Sequence, residues 1–135
     1  MKIEDLKLEI DQDLKIDLTN LAIESAENCI KYHKYNKLLL TEKLIYRKLW
    51  VEHQKTKKEV YRFYSGYGDN PSPEQFDSSG LKIHMSGEAK ILDEQSKLFL
   101  IEEKIKFLET TCQNFISRGF SIKNIIELRK LESGN

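Results

Sequence analysis

The chain has 135 residues, a third of them charged, with 22 basic side chains balancing 22 acidic ones. That length allows one domain with a small core, and no apolar run is long enough to cross a bilayer. The neutral total gives no general case for a nucleic-acid ligand, so any such case rests on where the charges lie.

The first residues are acidic and amphipathic, unlike a secretory leader. Glu4 to Asp13 reads as a short helix with Ile3, Leu6 and Ile10 on one face. Asp17 or Thr19 can cap a second helix. That helix meets no Pro or Gly from Leu18 through Tyr64, so the spacing predicts one helix of more than ten turns. Its apolar stripe is clear at Leu18, Ala22, Ala26, Cys29 and Ile30, and fades beyond Val51. Gly66 to Gly80, with Pro71 and Pro73, predicts a mobile loop. Leu81, Ile83 and Met85 alternate with Lys82 and His84, which predicts a short strand-like piece turned by Ser86-Gly87.

The strongest pattern follows. Ile91, Leu98, Ile101, Ile105, Leu108, Cys112 and Phe115 recur with the heptad spacing of a helix seam over Ile91 to Ser117. Gly119 can end that helix in a left-handed cap, and Ser121 can start a last one carrying Ile122, Ile125, Ile126 and Leu128. Phe99, Leu100 and Phe107 lie off the seam. A helix apolar on several faces needs several partners, which points to self-association through Ile91, Leu98, Ile101, Ile105, Leu108 and Phe115. Packing of the same residues on the long second helix is the competing reading.

Charge is unevenly distributed. Up to Ile30 the acids Glu4, Asp5, Glu9, Asp11, Asp13, Asp17, Glu24 and Glu27 face only Lys2, Lys7 and Lys15. From Lys43 to Arg62 the bases Lys43, Arg47, Lys48, Lys55, Lys57, Lys58 and Arg62 face only Glu52 and Glu59. The basic segment runs into KTKKEVYRFYSGYGD, Lys55 to Asp69, where cations alternate with Tyr61, Phe63, Tyr64 and Tyr67. Cations neutralise phosphates, and aromatic faces stack on bases that a duplex would hide. The segment is thus a candidate single-stranded nucleic-acid site, with Lys57, Lys58 and Arg62 for phosphate, Tyr64 or Tyr67 for bases, and Lys43, Arg47, Lys48 and Lys55 in support. A solvated helix end whose aromatics pack on the core would carry the same residue types.

Enzyme signals are thin. No P-loop is present, and Gly66-x-Gly68 lacks the rest of a dinucleotide fingerprint. His33, His53 and His84 share no ligand spacing, and Cys29 and Cys112 form no CxxC, so neither metal nor cofactor is expected. Both thiols are expected to be free and buried, in a reducing cytosol. Cys29 and His33 sit one helical turn apart, but no third group completes a nucleophile. Asp69 and Glu74 suit a solvated loop better than a cation site.

Three stretches together resemble the UvsY recombination mediator family of T-even-type bacteriophages: MKIEDL at Met1 to Leu6, the aromatic-Tyr-Ser-Gly-x-Gly-Asp turn at Phe63 to Asp69, and Ser-Arg-Gly-Phe-x-Ile-Lys-x-Ile at Ser117 to Ile125. The resemblance implies a non-enzymatic protein that binds single-stranded DNA and forms a ring-shaped homo-oligomer, larger than a dimer, through its C-terminal region. It also implies that the protein loads a UvsX-type recombinase onto DNA covered by the phage single-strand binding protein, in the cytoplasm of the infected bacterium. The family's Lys-x-Arg motif is matched at Lys58. Val60 stands at the Arg position, leaving Lys57 or Arg62 to supply that charge.

The expected fold is mostly α, with long helices, a strand-like hairpin segment and C-terminal helices forming an oligomerisation bundle. Residues 1–85 are the expected DNA-binding region, with loop 66–80, and residues 86–135 the oligomerisation region. The competing functional readings are a structural helical homo-oligomer, whose basic segment serves assembly, and a small virion or host-interaction protein.

Overall fold

The computed structural model describes residues 2–67 and 72–134. Among them are four helices and no strand: α1 (Ile3–Leu14), α2 (Leu21–Ser65), α3 (Ser78–Ser86) and α4 (Ala89–Glu132). Two compact units emerge. The first comprises Met1–Thr41 with Lys104–Asn135, and the second Glu42–Glu103. α2 and α4 each supply segments to both units.

In the first unit, α1 buries Leu6 and Ile10, one helical turn apart. They join Tyr35, Leu39, Leu108, Cys112 and Phe115 in one apolar cluster. Tyr35 stacks on Phe115 with ring centroids 5.2 Å apart, and its hydroxyl donates to Asp13 Oδ2 at 2.6 Å. Lys34 Nζ approaches the same oxygen at 2.8 Å and Glu9 at 2.5 Å. Burial alone would push the Asp13 carboxyl up, but the Lys34 and Tyr35 hydrogen bonds and the Lys34 and Lys31 charges outweigh it and hold the group below its usual range. Asp17 organises the α1–α2 turn, accepting from the Thr19 N–H and hydroxyl and from the Asn20 amide, so α2 starts at Leu21.

Arg118 fastens this unit. Its buried guanidinium donates to the Leu14 and Lys15 carbonyls at the end of α1, to Asn28 Oδ1, and to the Glu24 carboxylate. Asn28 in turn donates to the Phe115 carbonyl at 2.8 Å. A Cβ at Gly119 would lie 2.9 Å from the Asn28 amide nitrogen. The expected helix end at Gly119 is thus corrected. α4 continues through it to Glu132, and the glycine serves close approach rather than a cap. Ser121 lies inside α4, and buried Ile122 carries the seam onward.

The seam itself is filled by the chain. Ile91, Leu98, Leu108 and Phe115 are buried, and Ile101 and Ile105 half-buried, within this one protomer. The four buried side chains are occupied by packing within the chain, while Ile101 and Ile105 keep part of their surface exposed. The off-seam Phe99 and Leu100 stay exposed, while Phe107 packs on the core cluster.

The second unit is zipped by polar pairs. Tyr46 donates to Glu102 at 2.7 Å and Tyr64 to Glu88 at 2.9 Å. Between these two, buried His53 lies 2.9 Å from one Glu94 oxygen, and Thr56 donates to the other at 2.9 Å. Burial pushes the Glu94 carboxyl up, but His53, Thr56 and the Lys90 charge together bring it below its usual value.

The strand-like expectation for Leu81–Met85 is overturned. The piece is α3, whose Asp77 N-cap accepts from the Gly80 N–H at 2.7 Å. Five alternating residues also place Leu81 and Met85 one helical turn apart, and both are half-buried. With a cap upstream, the helical reading of that pattern wins. Gly68, Asp69 and Pro71, assigned to the loop from sequence, lie outside the described residues. Cys112 is buried as expected, but Cys29 is exposed.

Candidate nucleic-acid interface

The basic segment occupies the last turns of α2, inside the second unit. Helical spacing sorts its side chains. His53, Thr56 and Tyr64 recur on the face turned to α4, where they make the polar pairs above. Arg47, Val51, Lys55, Lys58 and Arg62 recur at steps of four, four, three and four on another face, and all five are exposed. Lys43 and Lys48 are exposed near this ridge, and Lys57 is half-buried. Among the described residues, no carboxylate makes a salt bridge with Arg47, Lys48, Lys55, Lys57, Lys58 or Arg62. Glu88, Glu94 and Glu102 are already committed to partners on the face of α2 turned to α4.

The helix stops at a glycine cap. Gly66 takes a φ of +83°, the left-handed region that favours glycine. The Tyr67 N–H donates to the Arg62 carbonyl at 2.9 Å and the Gly66 N–H to the Phe63 carbonyl at 3.4 Å. The Arg62 guanidinium reaches the Tyr67 carbonyl at 3.2 Å, which sets this cation beside the exit of the chain. Beyond the cap the Ser72 N–H returns to the Phe63 carbonyl at 2.9 Å.

The two candidate stacking residues have different fates. Tyr64 is half-buried in an aromatic nest, edge-on to Phe63 and Phe76 and tilted against His84, with its hydroxyl on Glu88. That bond, ahead of burial and the Glu88 charge, holds the phenol above its usual value. Tyr64 is committed to the fold. Tyr67 is 75% exposed. Sequence reasoning missed Trp50, and named Tyr61 within the segment without choosing it as a stacking face; they are exposed by 48% and 45%. Tyr61 stands three residues after Lys58, on the ridge side, and that spacing was the available signal. Among the described residues no His, Cys, Asp and Glu cluster could hold a metal ion, and no helix is long and apolar enough to cross a membrane.

Residues 9–135 match the profile of a family described as recombination, repair and single-stranded-DNA-binding protein UvsY. The chain is 32% identical over 139 residues to the recombination protein uvsY of Enterobacteria phage T4, covering 99% of both chains. Two crystal structures of the bacteriophage T4 recombination mediator protein UvsY superpose with TM-scores of 0.92 and 0.90, at 28% and 27% identity. They cover 98% and 97% of this chain, and 98% and 99% of their own.

Proposed function

Because the chain belongs to the UvsY family of recombination, repair and single-stranded-DNA-binding proteins, we propose that its basic ridge is the surface on which it holds single-stranded DNA. The observation carrying this reading is the ridge Arg47, Lys55, Lys58 and Arg62, without a carboxylate partner among the described residues, beside exposed Trp50, Tyr61 and Tyr67. Phosphates would lie along the cations while unstacked bases meet the aromatic faces. Arg62 lies one helical turn after Lys58 on the same ridge, so Arg62 rather than half-buried Lys57 takes the charge that Val60 lacks.

The protein acts without catalysis, as a mediator that loads a UvsX-type recombinase onto DNA covered by single-strand binding protein in the infected bacterium. Several ridges in one homo-oligomer would bind one strand by avidity, each contact weak alone. The assembly, larger than a dimer, would use the exposed off-seam faces of α4. Phe99, Leu100, Ile116 and Phe120 support this, because such a density of exposed large apolar groups is unusual for a monomer. Replacing Phe99 and Phe120 by Asp should yield smaller species in sedimentation. Parent mass would move the interface elsewhere.

The direct test is a titration with labelled oligothymidine across a salt series. The double change Lys58→Ala and Arg62→Ala should weaken binding and flatten the salt slope by roughly 0.7 log units per lost single-strand contact at each engaged subunit. Unchanged affinity and slope would return the segment to a solvated helix end.

A further inference from the structure

We propose that a cavity at the C-terminal end of α2 receives one unstacked nucleobase and prefers one with an exocyclic amino group, cytosine over thymine. This rests on the single-strand-binding reading above. The cavity is about 400 Å³, within the roughly 300–1,000 Å³ of small-ligand clefts. Its lining is mostly polar, with Ser65, Glu74 and Gln75 among the lining residues beside the rings of Tyr64, Pro73 and Phe76. The walls are preformed. Phe76 lies 4.1 Å from His84 and 5.7 Å from Tyr64 between ring centroids, and Tyr64 is anchored on Glu88. The Ser72 bond back to the Phe63 carbonyl draws the return segment over the helix end. Arg62 and Tyr67 stand beside this helix end, so a strand with its phosphates on the ridge has bases within reach of the cavity.

Two features select the base. A carboxylate such as Glu74 only accepts hydrogen bonds. A helix C-terminus presents partial negative charge, which also favours donors. Cytosine offers its N4 amino group to such an acceptor, whereas thymine presents the O4 acceptor at that place and has only its ring N3–H to donate beside it. Glu74 is exposed on a turn and supports no buried contact, so changing it leaves the fold intact. Its charge also repels the phosphate backbone. Removing that charge raises affinity for every strand equally, and only the ratio between strands reports the cavity.

The experiment measures the affinities of oligodeoxycytidine and oligothymidine of equal length, at one salt concentration, for the full chain and for Glu74→Gln. The wild-type chain should prefer the cytidine strand by about tenfold, as one edge contact discriminates. Glu74→Gln, whose amide both donates and accepts, should bring the ratio near one while both strands still bind. A wild-type ratio near one, or a ratio that Glu74→Gln leaves unchanged, overturns the cavity proposal and leaves the ridge standing. A wild-type chain that binds neither strand at low salt overturns the single-strand reading itself.

Discussion

The unit of residues 1–41 and 104–135 is held by an apolar cluster around Tyr35, Leu108 and Phe115, while the unit of residues 42–103 is held by a polar ladder from Tyr46–Glu102 to Tyr64–Glu88. Each fully buried large apolar side chain contributes about 1.5–3 kcal/mol, whereas each hydrogen bond nets about 0.5–1.5 kcal/mol. The first unit is therefore expected to be the firmer of the two. The ladder has a second effect. It commits Glu88, Glu94 and Glu102, and among the described residues no carboxylate pairs with Arg47, Lys55, Lys58 or Arg62 on the exposed face of α2. With the ridge proposed above as the DNA surface, stability would rest mainly on the first unit and binding on the second.

The largest effect that would break this comparison lies at Arg118. Arg118→Ala leaves Glu24, which is 8% exposed, without its cation, and strips the carbonyls of Leu14 and Lys15. A loss of about 3–5 kcal/mol is expected in denaturant melts. A loss no greater than that of a surface residue would mean the first unit does not depend on this fastening.

Next comes the ladder. Glu94→Ala removes the partner of both His53 and Thr56 and should cost about 1–3 kcal/mol for groups left buried and unpaired. Hydrogen exchange should show faster opening in residues 42–103 and unchanged protection around Tyr35. Equal acceleration in both units would show that they unfold as one.

At the ridge, Tyr61→Ala should cost about 1–3 kcal/mol of oligonucleotide affinity if a base stacks there, with folding stability within roughly 0.5 kcal/mol of the parent. Tyr64→Ala should instead lower the melting temperature, because that ring and hydroxyl serve the fold. The reverse outcome would exchange their roles.

The smallest expected effect is on acid stability. The Asp13 carboxyl titrates below its unfolded value, so its contribution is complete above the ordinary carboxylate pKa and disappears as pH falls through the lower folded one. Asp13→Asn should flatten the acid limb of a melting-temperature profile below about pH 4. An unaltered limb would assign acid sensitivity elsewhere, with Glu94 of the second unit the first candidate.

Local signals carried much of this protein. Residues without Pro or Gly from Leu18 to Tyr64 forecast α2 to within a few residues, because nothing in that interval opposes a helix. The charge step before Gly66 marked the ridge, and Gly66 marked its end. The heptads of α4 were equally legible as a seam, but not their partner. Spacing states that a face must be covered and is silent on whether the same chain covers it. Only packing put Leu108 and Phe115 against Tyr35.

At α3 a local cap overturned the strand-like reading, whereas around Gly119 long-range contacts were responsible. Gly119 resembles a helix end until Asn28, 91 positions earlier, is brought to within van der Waals reach. Arg118 resembles a surface cation until α1 ends beside it. Tyr64 and Tyr61 were indistinguishable by residue type, and the orientation of α2 towards α4 decided which one packs and which one faces solvent. Sequence by itself determined α1, α2, the glycine cap and the clustering of positive charge, since these depend on neighbours within a few residues. Tertiary structure alone decided which seam residues are buried within the chain, which aromatic faces solvent and which cations have no carboxylate partner among the described residues, since each depends on groups far apart in the chain.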